Sequence, residues 1–177
     1  MIYEEKTVSS QEIYQGKIVT LKVDKVTLPD GKQAERELVL HPGGVGVVAV
    51  DEDGSVILVR QFRKPLEDAI YEIPAGKLDK GEDHRLCGIR ELAEETGYRA
   101  EEFVYLGYIY PSPGFTDEVT HIYLATGLSQ GECHPDEDEY LDVVRMPFED
   151  AVTMVMENKI NDAKTVAGIL KAKNMLG

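Results

Sequence analysis

Residues 90–98, RELAEETGY, place three carboxylates, Glu91, Glu94 and Glu95, within five positions beside Arg90. The chain already carries a formal net charge of -14. Crowding more negative charge here has two readings: a solvated helix face, or a place meant for something strongly positive. Three points weigh against the solvated face. Glu91 and Glu95 are a like-charged i,i+4 pair, which costs a helix a few tenths of a kcal/mol, on the order of 0.3. The carboxylates sit in the last turn, where the macrodipole prefers cations. Gly88 occupies the helix interior at a penalty of about 1 kcal/mol relative to alanine. A divalent Mg²⁺ or Mn²⁺ would reverse the electrostatic part, because hard cations take oxygen ligands.

The element that must position these groups is an amphipathic helix. At about 100° per residue, Leu86, Ile89, Leu92, Ala93 and Thr96 gather on one side, and Glu91, Glu94 and Glu95 gather opposite. The apolar side is expected to meet the core. Gly97 stands where a left-handed cap ends such a helix.

Composition narrows the chemistry. The 177 residues suit one domain with a modest appendage. Asp and Glu outnumber Lys and Arg by 33 to 19, and no basic run interleaves with aromatics, so a nucleic acid polymer is excluded as partner. An acidic protein still binds a small phosphate compound when metal ions bring positive charge into the site. Cys87 and Cys133 lie far apart and read as reduced thiols. The first residues, MIYEEKTVSS, lack the order of a signal peptide, and no apolar run is long enough for a membrane. A cytoplasmic protein is expected. His41, His84, His121 and His134 show no zinc-like spacing, so any metal should be held by oxygen.

Along the chain, the first forty residues read as strands and turns. Alternation at Leu21 and Val23 shifts to Val26 and Leu28, which suggests a bulge. Residues 29–31, PDG, make a turn, and residues 36–40 a further strand. VGVVAV, residues 45–50, reads as a strand covered on both faces. Asp53-Gly54 then turns the chain into SVILVRQFR. A calcium loop starting at Asp51 fails, because Val56 falls where Gly is needed and Phe62 where Glu is needed. A short strand enters a loop before the carboxylate helix. Two strands flank a Pro/Gly loop, an acidic loop precedes a strand at residues 141–146, and helices near 148–157 and 162–175 finish the chain. Strands and helices mix without regular βα alternation, which predicts an α+β fold.

Residues 76–98, GKLDKGEDHRLCGIRELAEETGY, resemble the Nudix box. Gly76, Glu82, Arg90, Glu91, Leu92, Glu94, Glu95 and Gly97 fit its fixed positions without a gap, and only Tyr98 departs, an aromatic where an aliphatic is usual. The family hydrolyses a nucleoside diphosphate linked to another group, using divalent cations. The resemblance implies an α/β/α sandwich around a mixed sheet over residues 42–177, with residues 1–41 as an added antiparallel β region. Pro113, sixteen residues after Gly97, looks like the marker of the ADP-ribose pyrophosphatase subfamily. VRQFRKPLEDAIYEIPAGKLDKGE and NDAKTVAGIL are similar to the same subfamily.

The resemblance then assigns roles. Glu91 and Glu95, with the Ala75 carbonyl, are the first metal ligands, and Glu94 shares in ligation or holds a bridging water. Arg90 positions these carboxylates. Glu82 either complements the helix dipole or serves the metal. In the acidic loop at residues 136–139, Glu137 fits the general base and Glu139 a further metal ligand, against the reading of a solvated loop. Arg63 is expected at the diphosphate, with Glu72 and Gly114 also at the substrate. Arg36 is expected to reach the substrate of a neighbouring subunit, because N-terminal strands exchange between protomers in similar enzymes. The expected activity is Mg²⁺-dependent, or Mn²⁺-dependent, cleavage of ADP-ribose to AMP and ribose 5-phosphate by a homodimer using two or more ions. The alternatives are another nucleotide sugar such as GDP-mannose, or a non-catalytic ADP-ribose sensor.

Overall fold

The computed structural model describes residues 3–131 and 140–177. The chain forms two compact units, Met1–Gly43 with Tyr110–Val119, and Gly44–Ile109 with Thr120–Gly177.

The first unit is a three-stranded antiparallel sheet of β1 (Lys6–Gln15), β2 (Thr20–Thr27) and β3 (Gln33–Leu40), in that order. The turn expected at residues 29–31 joins β2 to β3, with Gly31 N–H donating to the Leu28 carbonyl at 2.9 Å. The bulge lies elsewhere than expected. β2 pairs with β3 in unbroken register from Thr20↔Leu40 to Thr27↔Gln33, and the register shifts occur against β1, at Thr7/Ser9 and Glu12/Tyr14. β2 is the central strand of a thin sheet, so alternation along it reports two half-covered faces rather than a break in pairing. β1 left no sequence pattern because every residue in it is exposed. The segment Tyr110–Val119 joins this sheet: Val39 donates to the Phe115 carbonyl at 2.7 Å, and His41 N–H to Asp117 Oδ1 at 2.9 Å.

The second unit is a mixed sheet with helices on both faces. Its main path runs β10 (Leu141–Pro147), β5 (Ser55–Arg63), β4 (Gly44–Val50), β9 (Thr120–Gln130) and β8 (Tyr98–Ile109), while β6 (Asp68–Glu72) pairs with β5 and β7 (Ala75–Lys77) with β4. β4 and β9 are parallel and the other pairs antiparallel. β4 is buried at all seven residues, as its unbroken apolar run predicts. Its alternate side chains go to opposite faces. Val48 and Val50 meet α2 (Phe148–Met156) and α3 (Ala163–Leu176) through Phe148, Ala151, Ile169 and Ala172. Val47 and Ala49 meet α1 (His84–Thr96) through Leu92. The α/β/α sandwich is therefore built on one doubly covered strand. Among the described residues no helix is long and apolar enough to cross a membrane.

One expectation about α1 holds only in part, with Leu92 and Thr96 inward but Leu86 and Ile89 not. Its buried residues are Cys87, Gly88, Leu92, Glu95 and Thr96, whereas Leu86 is 61% and Ile89 38% exposed. The helix is rotated from the orientation its apolar stripe suggests, and Glu95, at 2% exposure, is on the inside. Gly88 has a packing reason of its own: a Cβ there would stand 3.1 Å from both Phe103 and Val45. Small residues let the helix approach the sheet closely, so Leu92 and Cys87 suffice as its apolar anchors.

Candidate active site

The loop between β7 and α1 sets the carboxylate helix in place. Asp83 is the N-cap, a role the sequence reading missed, accepting from the backbone of Arg85 at 2.9 Å and Leu86 at 3.1 Å. Glu82 closes the loop before it, accepting from Asp79 N–H at 3.0 Å. At the far end Gly97 adopts φ 75° and donates to the Ala93 carbonyl at 2.9 Å, the left-handed cap that the sequence predicts.

Two of the three clustered carboxylates are turned to β7. Glu95 accepts the Ala75 N–H at 3.0 Å from its buried position. Glu91 lies directly on Gly76, so that a Cβ at position 76 would overlap its carboxylate. The glycine is there to admit the glutamate. Arg90 ties the rest together. Its Nη1 donates to Glu91 Oε1 and Glu94 Oε2, both at 2.8 Å, and its Nε and Nη2 reach Glu82 at 3.3 Å. Burial opposes the charge on Arg90, but its bonds to Glu82 and Glu94 and the charge of Glu91 outweigh it and raise its pKa. The backbone hydrogen bond from Asp79 and the Arg90 guanidinium hold the Glu82 carboxyl below its usual range. Burial, with the charges of Glu82 and Glu91 nearby, pushes the Cys87 thiol up to about 12, leaving it a protonated packing residue.

Arg63, at the end of β5, forks onto Glu72 with Nε–Oε1 at 2.5 Å and Nη2–Oε2 at 2.8 Å. Glu72 is 1% exposed and also bonds Lys164 from α3. Burial works against ionisation of Glu72, yet the Arg63 hydrogen bonds and the Lys164 charge hold its carboxyl below the ordinary value.

The second unit thus brings together Ala75, Glu91 and Glu95, links Glu82, Arg90 and Glu94 to them, and pairs Arg63 with Glu72. Arg36 and Gly114 belong to the first unit. Arg36 is engaged there by Glu5, with Nε–Oε2 at 2.8 Å and Nη2–Oε1 at 2.5 Å. Gly114 stands in an open loop where a Cβ would meet nothing within 4 Å. Glu137 and Glu139 lie outside the described residues, as does Cys133. Sequence reasoning missed Lys164 and Asp162. The only hint was the Asp-x-Lys-Thr order at the start of a helix, which reads as an ordinary cap.

The donor set fits a hard divalent cation. Carboxylates of Glu91 and Glu95 and the adjacent Ala75 carbonyl are oxygen donors, brought close by a glycine that leaves room for one of them. Among the described residues no three acidic, His or Cys side chains already form a ready-made cage. A magnesium-type ion does not require one, since it keeps several waters and takes few protein ligands.

Comparison with known proteins gives the family. The NUDIX domain profile matches residues 40–168. The chain belongs to the Nudix family. Ahead of that match, the nucleoside diphosphate sugar hydrolase N-terminal domain profile covers residues 5–39 of this Nudix protein. A Bacillus subtilis (strain 168) protein named ADP-ribose pyrophosphatase is 48% identical over 168 residues, 94% of this chain and 91% of its own length. A Bacillus methanolicus protein named methanol dehydrogenase activator is 46% identical over 170 residues, 95% of this chain and 92% of its own. A crystal structure of an ADP compounds hydrolase superposes with a TM-score of 0.87 at 21% identity, covering 99% of this chain and 96% of that one, which establishes the shared fold. Nudix pyrophosphatases generally use a divalent metal, in keeping with the oxygen donors on β7 and α1.

Proposed function

We propose that this Nudix enzyme hydrolyses the pyrophosphate bond of ADP-ribose to AMP and ribose 5-phosphate. The observation that carries the reading is the placement of Glu91 on Gly76 and of Glu95 on the Ala75 N–H, two carboxylates brought to consecutive residues of β7. Magnesium, or manganese in its place, would be held there as two or more ions by the Ala75 carbonyl, Glu91 and Glu95, with Glu82, Glu94 and Glu139 as further oxygen donors. A divalent cation in such a site neutralises diphosphate charge and lowers the pKa of a water. The chain's own part is orientation and proton transfer. Arg90 holds Glu91 and Glu94 in place, Arg63 presents its outer edge to the diphosphate beside Glu72, and Glu137 takes the proton of the attacking water. Arg36 is assigned to the substrate of a neighbouring subunit, and Gly114 is kept as a substrate contact. The 48% identical Bacillus subtilis relative supports ADP-ribose as the nucleotide sugar.

Product analysis decides among substrates. Incubated with Mg²⁺, the protein is expected to yield AMP and ribose 5-phosphate from ADP-ribose and far less GMP from GDP-mannose. Dominant GMP production would move the assignment to another nucleotide sugar. Tight ADP-ribose binding without turnover would leave a sensor. The name of the Bacillus methanolicus relative points to a dehydrogenase as a protein target. The box carboxylates are all in place here, so hydrolysis is the reading preferred.

A cytoplasmic homodimer is part of the same proposal, with residues 1–41 as the dimerisation region and 42–177 as the hydrolase domain. Support comes from the N-terminal sheet. Val26 is the one buried hydrophobic residue among its three strands, while Val8, Ile13 and Tyr14 of β1 are each more than half exposed. A sheet this poor in core is marginal without a cover. Sedimentation equilibrium should give twice the 19.7 kDa chain mass, and Val8→Glu with Ile13→Glu should shift it to monomer. A monomeric wild type at micromolar concentration would remove the dimer from the proposal.

A further inference from the structure

We infer that Lys164 is a positioning residue for Arg63, acting through Glu72 to keep the outward edge of the guanidinium oriented toward an anionic diphosphate. The inference rests on the reading of Arg63 as a diphosphate contact and extends it to a side chain in the first turn of α3.

The first turn of α3 grips two consecutive residues, Glu72 at the end of β6 and Ile73. Asp162 caps the helix, accepting from Thr165 N–H at 3.0 Å and Thr165 Oγ1 at 2.6 Å. The same Thr165 hydroxyl accepts the Ile73 N–H at 2.9 Å. Lys164 Nζ donates to Asp162 Oδ2 at 3.1 Å and to Glu72 Oε2. The Glu72 carboxylate is therefore shared, with Lys164 behind it and the Arg63 fork in front. Lys164 is 16% exposed, the Glu72 side chain between them 2%, and Arg63 41%.

A guanidinium has five N–H donors, and the fork onto Glu72 uses one on Nε and one on Nη2. Three donors are left over on a side chain that is 41% exposed. Lys164 bridges Glu72 and Asp162, so with Arg63 the four groups balance in charge, and Arg63 is the most exposed of them. Lys164 also fixes the carboxylate that sets the guanidinium plane. The effect belongs to binding of the diphosphate, not to the bond-breaking step, which the proposed function gives to groups on α1 and β7 and to Glu137.

The test compares Lys164→Met, which retains most of the stem and removes the charge, with Lys164→Arg, which retains the charge. Arg63→Gln and the double variant Arg63→Gln/Lys164→Met are measured with them. KM and kcat for ADP-ribose and the melting temperature are read for each. Lys164→Met is expected to raise KM about tenfold with kcat within about twofold of wild type, and Lys164→Arg to restore most of the loss. The double variant should be no worse than Arg63→Gln, because the lysine acts through the arginine. An unchanged KM in Lys164→Met beside a raised KM in Arg63→Gln would overturn the inference and leave the Arg63 reading standing. Unchanged KM in Arg63→Gln would end the Arg63 reading itself and the inference with it. Equal losses in the Met and Arg variants that follow the melting temperature would make Lys164 a structural tie only.

Discussion

Glu95→Gln is expected to lower ADP-ribose turnover by about a thousandfold, roughly 4 kcal/mol of transition-state stabilisation, with the fold retained. The two halves of this expectation have separate causes. Glu95 is 2% exposed and accepts the Ala75 N–H at 3.0 Å. The glutamine carbonyl oxygen can accept the same bond, and the amide has nearly the shape of the carboxylate. What disappears is the anionic oxygen on the Ala75 N–H, and with it one of the proposed ligands for a hard cation. Steady-state kinetics over a range of Mg²⁺ concentrations, beside a thermal melt, checks both halves. Near-normal turnover at saturating Mg²⁺ would remove Glu95 from the ligand set.

Gly76→Ala is expected to reach nearly the same functional loss by adding a single methyl group. The Cβ would overlap the Glu91 carboxylate. Position 76 is not among the glycines held at positive φ, so alanine fits the backbone itself. The obstructing atoms are the far end of a flexible glutamate, which can swing away. The melting temperature should therefore move by only a few degrees, about the effect of 1 kcal/mol. Activity should fall at least about a hundredfold, with the Mg²⁺ or Mn²⁺ concentration for half-maximal rate shifted upward, because Glu91, a proposed ligand, is displaced from its place on Gly76. A variant with wild-type metal dependence would show that the close packing of Glu91 on Gly76 serves structure alone. A strongly lowered melting temperature would show that Glu91 cannot move.

Both variants concern contacts that the box spacing only partly disclosed. Local features were readable in the chain. Gly97 as a left-handed cap, the Asp53-Gly54 turn with Gly54 at φ 79°, the doubly buried β4 and the helices near residues 148 and 163 follow from neighbours within a few positions. The carboxylates at 91, 94 and 95 stood out because they oppose one another and the helix dipole. Their grouping was visible, but their direction was not. The apolar pattern of α1 placed Leu86 and Ile89 inward, and the fold leaves both exposed while it buries Glu95. Periodicity reports which residues share a face, whereas the face that meets the sheet depends on what the sheet offers. Here β7 offers a backbone N–H to Glu95 and a glycine surface to Glu91.

By itself, the sequence determined the Nudix box, the mixed α and β character, the caps and turns, and the oxygen-only chemistry of the candidate ligands. All of these depend on residue type and short spacing, which local sterics and hydrogen bonding translate directly into structure. Only the tertiary structure decided that β4 and β9 run parallel, that α1 is rotated to bring Glu91 and Glu95 to β7, and that Lys164 meets Glu72 across 92 positions of sequence. Those outcomes are set by packing between segments distant in the chain, where burial of the whole core outweighs the preference of any one helix face.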